Sequence, residues 1–146
     1  MTTLVLTAVL QTSLMAAPEQ GYMEALSRSM ASGRALVVLV GADWCPGCVK
    51  MHGRILPEVG RKGGLDRVEL AYVDVDREPQ LAQQLMRGGS IPQLVRFEKT
   101  DSGWRSEVLT GAQSPDRVAA FINGEPEPQR SFPGVLSSWT EKLLGR

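Results

Sequence analysis

Cys45 and Cys48 are the only cysteines in the 146-residue chain, and they stand together in the stretch GADWCPGCVKM. Pro46 and Gly47 separate them, and Trp44 precedes them. Thiols at this spacing can act as a structural staple, as part of a metal site, or as a redox pair that opens and closes. A bridge between them closes so small a loop that it removes little entropy from the unfolded chain, so a staple stabilises little. Structural metal sites usually take four ligands, and the one histidine of the chain is His52. Protein ligands therefore stop at three unless Asp or Glu joins them. Redox exchange fits the pair best, because a thiolate is the nucleophile and a helix start stabilises it. His52 follows Cys48 by one helical turn, either as a base for that thiol or, as expected, as a surface or packing histidine.

The elements around the pair have to deliver it to a helix start. Residues 35–40, ALVVLV, form an unbroken apolar run rich in branched side chains, which predicts a central strand covered on both faces. A short loop leads from it to Cys45, and Val49, Met51, Ile55 and Leu56 predict a helix with Pro57 near its end or at a kink. Upstream, residues 18–30 read as a helix with Tyr22, Met23, Ala25, Leu26 and Met30 on its apolar face, closed by Ser32-Gly33. Downstream comes a strand over 68–75, then a helix over 79–87 striped by Leu81, Leu85 and Met86 and stopped by Gly88-Gly89. Residues 91–99 and 104–109 predict an antiparallel hairpin, and Ser114-Pro115-Asp116 opens a helix facing the core with Val118, Phe121 and Ile122. This order describes an α/β sandwich around a mixed sheet.

A CxxC beside such a pattern is the signal of a thioredoxin-type motif. Residues 42–51, ADWCPGCVKM, resemble the active-site segment of the thioredoxin superfamily. Ser90-Ile91-Pro92-Gln93 resembles the family loop whose cis-proline faces the CxxC, and Gly111-Ala112-Gln113-Ser114 resembles its glycine turn before the last helix. The ADWC segment is also similar to that of secreted or membrane-attached thioredoxin-like domains. The resemblance covers residues 18–123 and implies a thioredoxin fold, with a central mixed β-sheet flanked by helices on both faces. It implies a thiol–disulfide oxidoreductase, a reductase in preference to an oxidase, with Cys45 attacking and Cys48 resolving. Its redox centre would be the Cys45–Cys48 disulfide itself, with no further cofactor and no metal. Trp44, Pro46, Gly47, Ile91 and Pro92 would line the substrate site, Pro92 in the cis form letting the backbone of Ile91 pair with an extended client. Trp44 would shield the site; its other reading is plain core packing. Two departures stand out. Leu39 and Tyr72 occupy the positions where thioredoxins bury an Asp and a Lys, and Pro-Gly replaces Gly-Pro between the cysteines.

Other readings remain at this stage. The chain could be a thioredoxin-like binding or assembly module with an idle CxxC, or a metal carrier using Cys45, Cys48 and His52. Sixteen basic and sixteen acidic residues cancel, with no basic stripe for nucleic acid. Residues 1–17 are uncharged and mostly apolar, too short to span a bilayer comfortably, and end in Leu14-Met15-Ala16-Ala17. They read as a signal peptide lacking a basic n-region, with a first strand or buried helix as the other reading. Export to the periplasm or beyond is the expectation, a cytoplasmic location the alternative. Residues 124–134 read as a proline-rich linker, and Val135, Leu136, Trp139, Leu143 and Leu144 as one face of a short amphipathic helix folded back on the domain. The expected partners are protein disulfides and an upstream thiol donor, with a monomeric chain and membrane contact only through the signal segment.

Overall fold

A computed structural model describes residues 21–125. The signal-like segment, the start of the first helix and the chain from residue 126 onward lie outside the described residues. The order is α1 (Tyr22–Ser32), β1 (Ala35–Gly41), α2 (Pro46–Lys50), a π-helical turn (Met51–Ile55), α3 (Leu56–Arg61), β2 (Val68–Asp74), α4 (Pro79–Leu85), β3 (Gln93–Thr100), β4 (Gly103–Thr110) and α5 (Pro115–Ile122). The strands form one mixed sheet in the order β2-β1-β3-β4. β1 runs parallel to β2 and antiparallel to β3, and β3–β4 is the expected hairpin.

The alternation of β1 builds two cores. Val37 and Leu39 point to one face, where Met51, Ile55, Val59 and Val118 from α3, α5 and the π-helical turn cover them. Leu36, Val38 and Val40 point to the other, against Ala25 of α1 and Ala82 and Leu85 of α4. Helices therefore flank the sheet on both faces, and every residue of β1 after Ala35 is buried. The central strand is held rigidly, and its carboxyl end carries the cysteine loop.

Several elements depart from the sequence reading in detail. In α1 the buried residues are Ala25 and Ser29, while Met23 and Met30 point to solvent at 72% and 68% exposure. The small pair lets the helix lie close to the sheet, Ser29 Oγ donates to the Arg34 carbonyl at 2.6 Å, and Arg28 Nε donates to Glu69 of β2 at 2.9 Å. The methionines, one face away, have no sheet to cover. The kink near Pro57 takes the form of a π-helical turn: Leu56 N–H reaches back to the Met51 carbonyl, and Pro57, which has no N–H, then opens α3. α4 stops at Leu85, short of Arg87, because Met86 is already extended. β3 starts at Gln93 instead of Ile91, because the Ile91–Pro92 bond is cis and leads the chain into the sheet from outside the ladder. The hairpin turn narrows to Asp101-Ser102, with Thr100 paired to Gly103, whose φ of 120° suits glycine alone. Ser114 caps α5 as expected, its Oγ accepting from Arg117 N–H at 3.4 Å.

Candidate active site

β1 ends at Gly41, which pairs with Asp74 of β2 and whose carbonyl accepts from Val75 N–H at 2.9 Å. Ala42, Asp43 and Trp44 cross to Cys45, the N-cap of α2. Cys45 is extended (φ −88°, ψ 113°), and its Sγ accepts the Cys48 N–H at 3.2 Å. Pro46 follows at the first turn, where its missing N–H costs nothing. The two cysteines form a disulfide, their Cα atoms 5.2 Å apart. Cys48 is closed off at 1% exposure and Cys45 is the more open sulfur residue at 6%. An N–H aimed at the Cys45 sulfur is the kind of donor that stabilises a thiolate there once the bond is reduced.

The other two family-like segments meet this loop. Pro92, in its cis bond, lies over Gly47: a Cβ at position 47 would sit 3.2 Å from Pro92 Cδ and 3.6 Å from Ala112 Cβ. Gly111, at φ 83°, donates its N–H to the Pro92 carbonyl at 2.8 Å. The residue between Pro46 and Cys48 is thus small because a proline and an alanine from distant segments press on it. Ile91 and Val75 pack against Ala42, Cys45 and Cys48.

Trp44 resolves against core packing. It is 68% exposed, and its Nε1–H donates to Asp76 Oδ2 at 2.7 Å. With Val75, Pro79, Ala82, Met86 and Ile91 it walls a groove of about 580 Å³, predominantly apolar, that shares Val75 and Ile91 with the cysteine cluster. Of the expected substrate residues, Trp44 and Ile91 border this groove, Gly47 and Pro92 touch each other beside the disulfide, and Pro46 is exposed next to Cys45. His52 is exposed and rests its ring on Tyr72, centroids 5.0 Å apart. Among the described residues no three His, Cys, Asp or Glu side chains gather as a metal set.

Beneath Cys48 the departures from the family pattern become a physical environment. Leu39 and Tyr72 are direct partners across the parallel β1–β2 ladder, Leu39 fully buried. Gly41 separates Cys48 from Tyr72; a Cβ there would meet Cys48 Cβ at 2.9 Å, its Sγ at 3.0 Å and the Tyr72 ring at 3.6 Å. Two further residues were not assigned a role from sequence. Gln93 is fully buried and holds the loop before Pro92, its Oε1 accepting from Arg87 N–H at 2.9 Å and its Nε2 donating to the carbonyls of Arg87 and Ser90. Asp74, also buried, accepts the N–H groups of Asp76 and Arg77 and so shapes the turn that carries Trp44's partner.

The decisive comparison is with solved structures. A thioredoxin from Thermus thermophilus superposes with a TM-score of 0.60 at 26% identity, over 71% of this chain and 82% of that one. The chain has the thioredoxin fold. Chloroplastic thioredoxin z matches with a TM-score of 0.55 at 26% identity, over 70% of this chain and 88% of its own. Malassezia sympodialis thioredoxin matches with 0.53 at 26%, over 73% and 86%. No protein-family model matches the sequence, and comparison with curated proteins finds no match. A thioredoxin fold bearing a CxxC pair supports a thiol–disulfide oxidoreductase as the general class.

Proposed function

We propose that this thioredoxin-fold protein is an exported reductase of protein disulfides, with Cys45 as the attacking thiol and Cys48 as the resolving one. The observation that carries the reading is the Cys45–Cys48 disulfide beside cis-Pro92 and the apolar groove of Trp44 and Ile91. The pair is the redox centre, and no other cofactor is needed. In the reduced protein the Cys45 thiolate attacks one sulfur of a client disulfide. The client S–S bond breaks, a mixed disulfide forms on Cys45, and the other client sulfur leaves as a thiolate and takes up a proton. Cys48, deprotonated, then attacks Cys45 Sγ; the mixed disulfide breaks, the second client thiolate departs, and the intramolecular disulfide is restored. The client gains two electrons, and an upstream dithiol donor returns them to the pair. Ile91, just before Pro92, offers its backbone to an extended client segment, while the groove takes apolar side chains flanking the client cysteine.

The two ladder positions where thioredoxins bury an Asp and a Lys offer the Cys48 thiol no base here, since Leu39 and Tyr72 occupy them. Resolution is therefore slow for this fold, which suits trapping. Replacing Cys48 with Ala should accumulate reductant-sensitive covalent complexes with clients on a non-reducing gel, and a trace should appear even with the parent protein. Replacing Cys45 with Ala should abolish both complexes and turnover of insulin by dithiothreitol. A parent protein without turnover, together with two variants that trap nothing, would leave the non-catalytic binding module as the surviving account.

A further inference from the structure

At the pole opposite the cysteines, where β1 and β2 begin and β3 and α5 end, lies a second cavity of about 780 Å³. β1 runs from Ala35, in the wall of this cavity, to Gly41 beside Cys48. At the rise of a strand the two sites are about 20 Å apart. The groove beside the disulfide is apolar, whereas this cavity is lined by charge: Arg34, Lys62, Arg67 and Arg96 with Glu98 and Glu125.

Arg96 is the unusual member, because it is only 6% exposed. Burying a guanidinium is costly unless its donors find partners. Its Nε donates to the Ile122 carbonyl at 3.0 Å, closing the last turn of α5, and its Nη1 donates to Glu98 Oε2 at 2.8 Å. Those two bonds explain an arginine at this position, but they leave Nη2 over. Among the described residues Nη2 has no hydrogen-bond partner. Beside it stands Gly124 at φ 71°, where a Cβ would lie 2.9 Å from Nη2 and 3.0 Å from Cζ. Any side chain there would cover the free edge of the guanidinium, and glycine leaves it open.

The cations around Arg96 are also weakly engaged. The Arg67 side chain is exposed and has no partner among the described residues. Arg34 Nη1 reaches Glu69 only at 3.4 Å, and Glu69 already accepts from Arg28 at 2.9 Å. Lys62 pairs with Glu58 at 3.2 Å on the open surface, where an ion pair contributes little. With Glu98 taken up by Arg96, the walls hold Arg34, Lys62 and Arg67 against Glu125 alone.

We propose that this cavity binds a small dianionic oxyanion of the phosphate-monoester type. One phosphoryl oxygen accepts from Arg96 Nη2, and the others take Arg67 and Arg34. A guanidinium suits this ligand because its planar donors match two oxygens at once, and such charged bonds are the strong ones. Lys62 adds charge at the rim, and the volume leaves room for the organic part of the ester. A carboxylate meets the same donors with half the charge and binds more weakly. The cysteines take no part, so the site stands whatever reaction they perform.

The test titrates the full-length ¹⁵N-labelled protein with glycerol phosphate, and separately with acetate, at ionic strength held constant with sodium chloride. Glycerol phosphate should saturably shift the Arg96 Nε–H signal and the amides of Gly63, Asn123 and Gly124, with Cys45 and Trp44 unmoved. Acetate should bind at least tenfold more weakly. Arg67→Gln should weaken glycerol phosphate about tenfold, the factor that one charge-assisted hydrogen bond supplies. Gly124→Ala, which closes the edge beside Nη2, should weaken it at least as much. If Gly124→Ala disturbs the spectrum at large, the surface variant Arg34→Gln replaces it, with the same tenfold loss expected. Shifts that grow without saturating, acetate binding as tight as that of glycerol phosphate, or an Arg67→Gln protein that binds like the parent would each overturn the proposal.

Discussion

At position 41 the chain has no side chain, and Cys48 and Tyr72 use the space from opposite sides. A methyl group there would press on the Cys48 Cβ and Sγ at about 3 Å, and neither the rigid ladder of β1 nor the helix start can yield easily. Gly41→Ala should therefore destabilise the protein by about 1–3 kcal/mol, the usual cost of overpacking a tight core. Chemical denaturation of the oxidised protein reads that loss, and a Gly41→Ala protein as stable as the parent would show that the cysteine helix moves aside. Gly47 is a milder case, since Pro92 and Ala112 touch its open side at 3.2 Å and 3.6 Å. The two cysteines and the proline were legible as types at a spacing. The two glycines were not, because what crowds them comes from elsewhere in the chain. Likewise Trp44 announced itself by its place before Cys45, but its partner Asp76 carried no signal apart from following a strand.

Elements whose apolar residues recur at a clean period are legible in the sequence, and the departures from that pattern share a cause. Met23 and Met30 fit a helical stripe as well as Ala25 does, yet the face that meets the sheet is the one with the small residues Ala25 and Ser29. Which face turns inward depends on how closely the helix can approach, and that is a property of the sheet beneath it. The early end of α4 and the late start of β3 both trace to the loop between them, which Gln93 holds with three hydrogen bonds to backbone groups. Replacing Gln93 with Leu keeps the volume and takes the amide partner away from those part-buried backbone groups. The expected loss is about 1–2 kcal/mol, read as a lower denaturation midpoint at unchanged slope. Turnover of insulin should fall as well, because the same loop carries Ile91 and Pro92 to the disulfide. A stable Gln93→Leu protein with full turnover would mean that the loop holds its shape without the amide.

Across the whole molecule, four separate stretches of chain meet at the carboxyl end of β1: the cysteine loop, the turn after β2, the cis-proline loop and the glycine turn after β4. The parallel β1–β2 pair brings the first two together, and the antiparallel β3 on the other side of β1 brings the third. The groove exists only because these neighbours are adjacent in the sheet. What lies ahead of the domain bears on where it works. Residues 1–17, uncharged and apolar, motivate the proposal of export with cleavage after Ala17. N-terminal sequencing of protein isolated from its own cell should find Pro18 first. A retained Met1 in a cytosolic fraction would instead favour a structural role for the segment and a cytosolic reductase.

Local chemistry was written in the sequence: a CxxC at a strand-to-helix junction, a proline in a Ser-Ile-Pro-Gln loop, a capped last helix, and two cores separated by the run ALVVLV. These follow from side-chain type, backbone freedom and short-range periodicity, which act between near neighbours in the chain. Tertiary structure alone decided which faces turned inward, what crowds positions 41 and 47, that Gln93 is the clamp of the proline loop, and that Asp76 holds Trp44 at the groove. Most of these contacts join segments far apart in the chain and are set by strand order and close packing; the Gln93 clamp is local, its partners three and six residues away, but depends on a loop conformation that side-chain type alone does not specify.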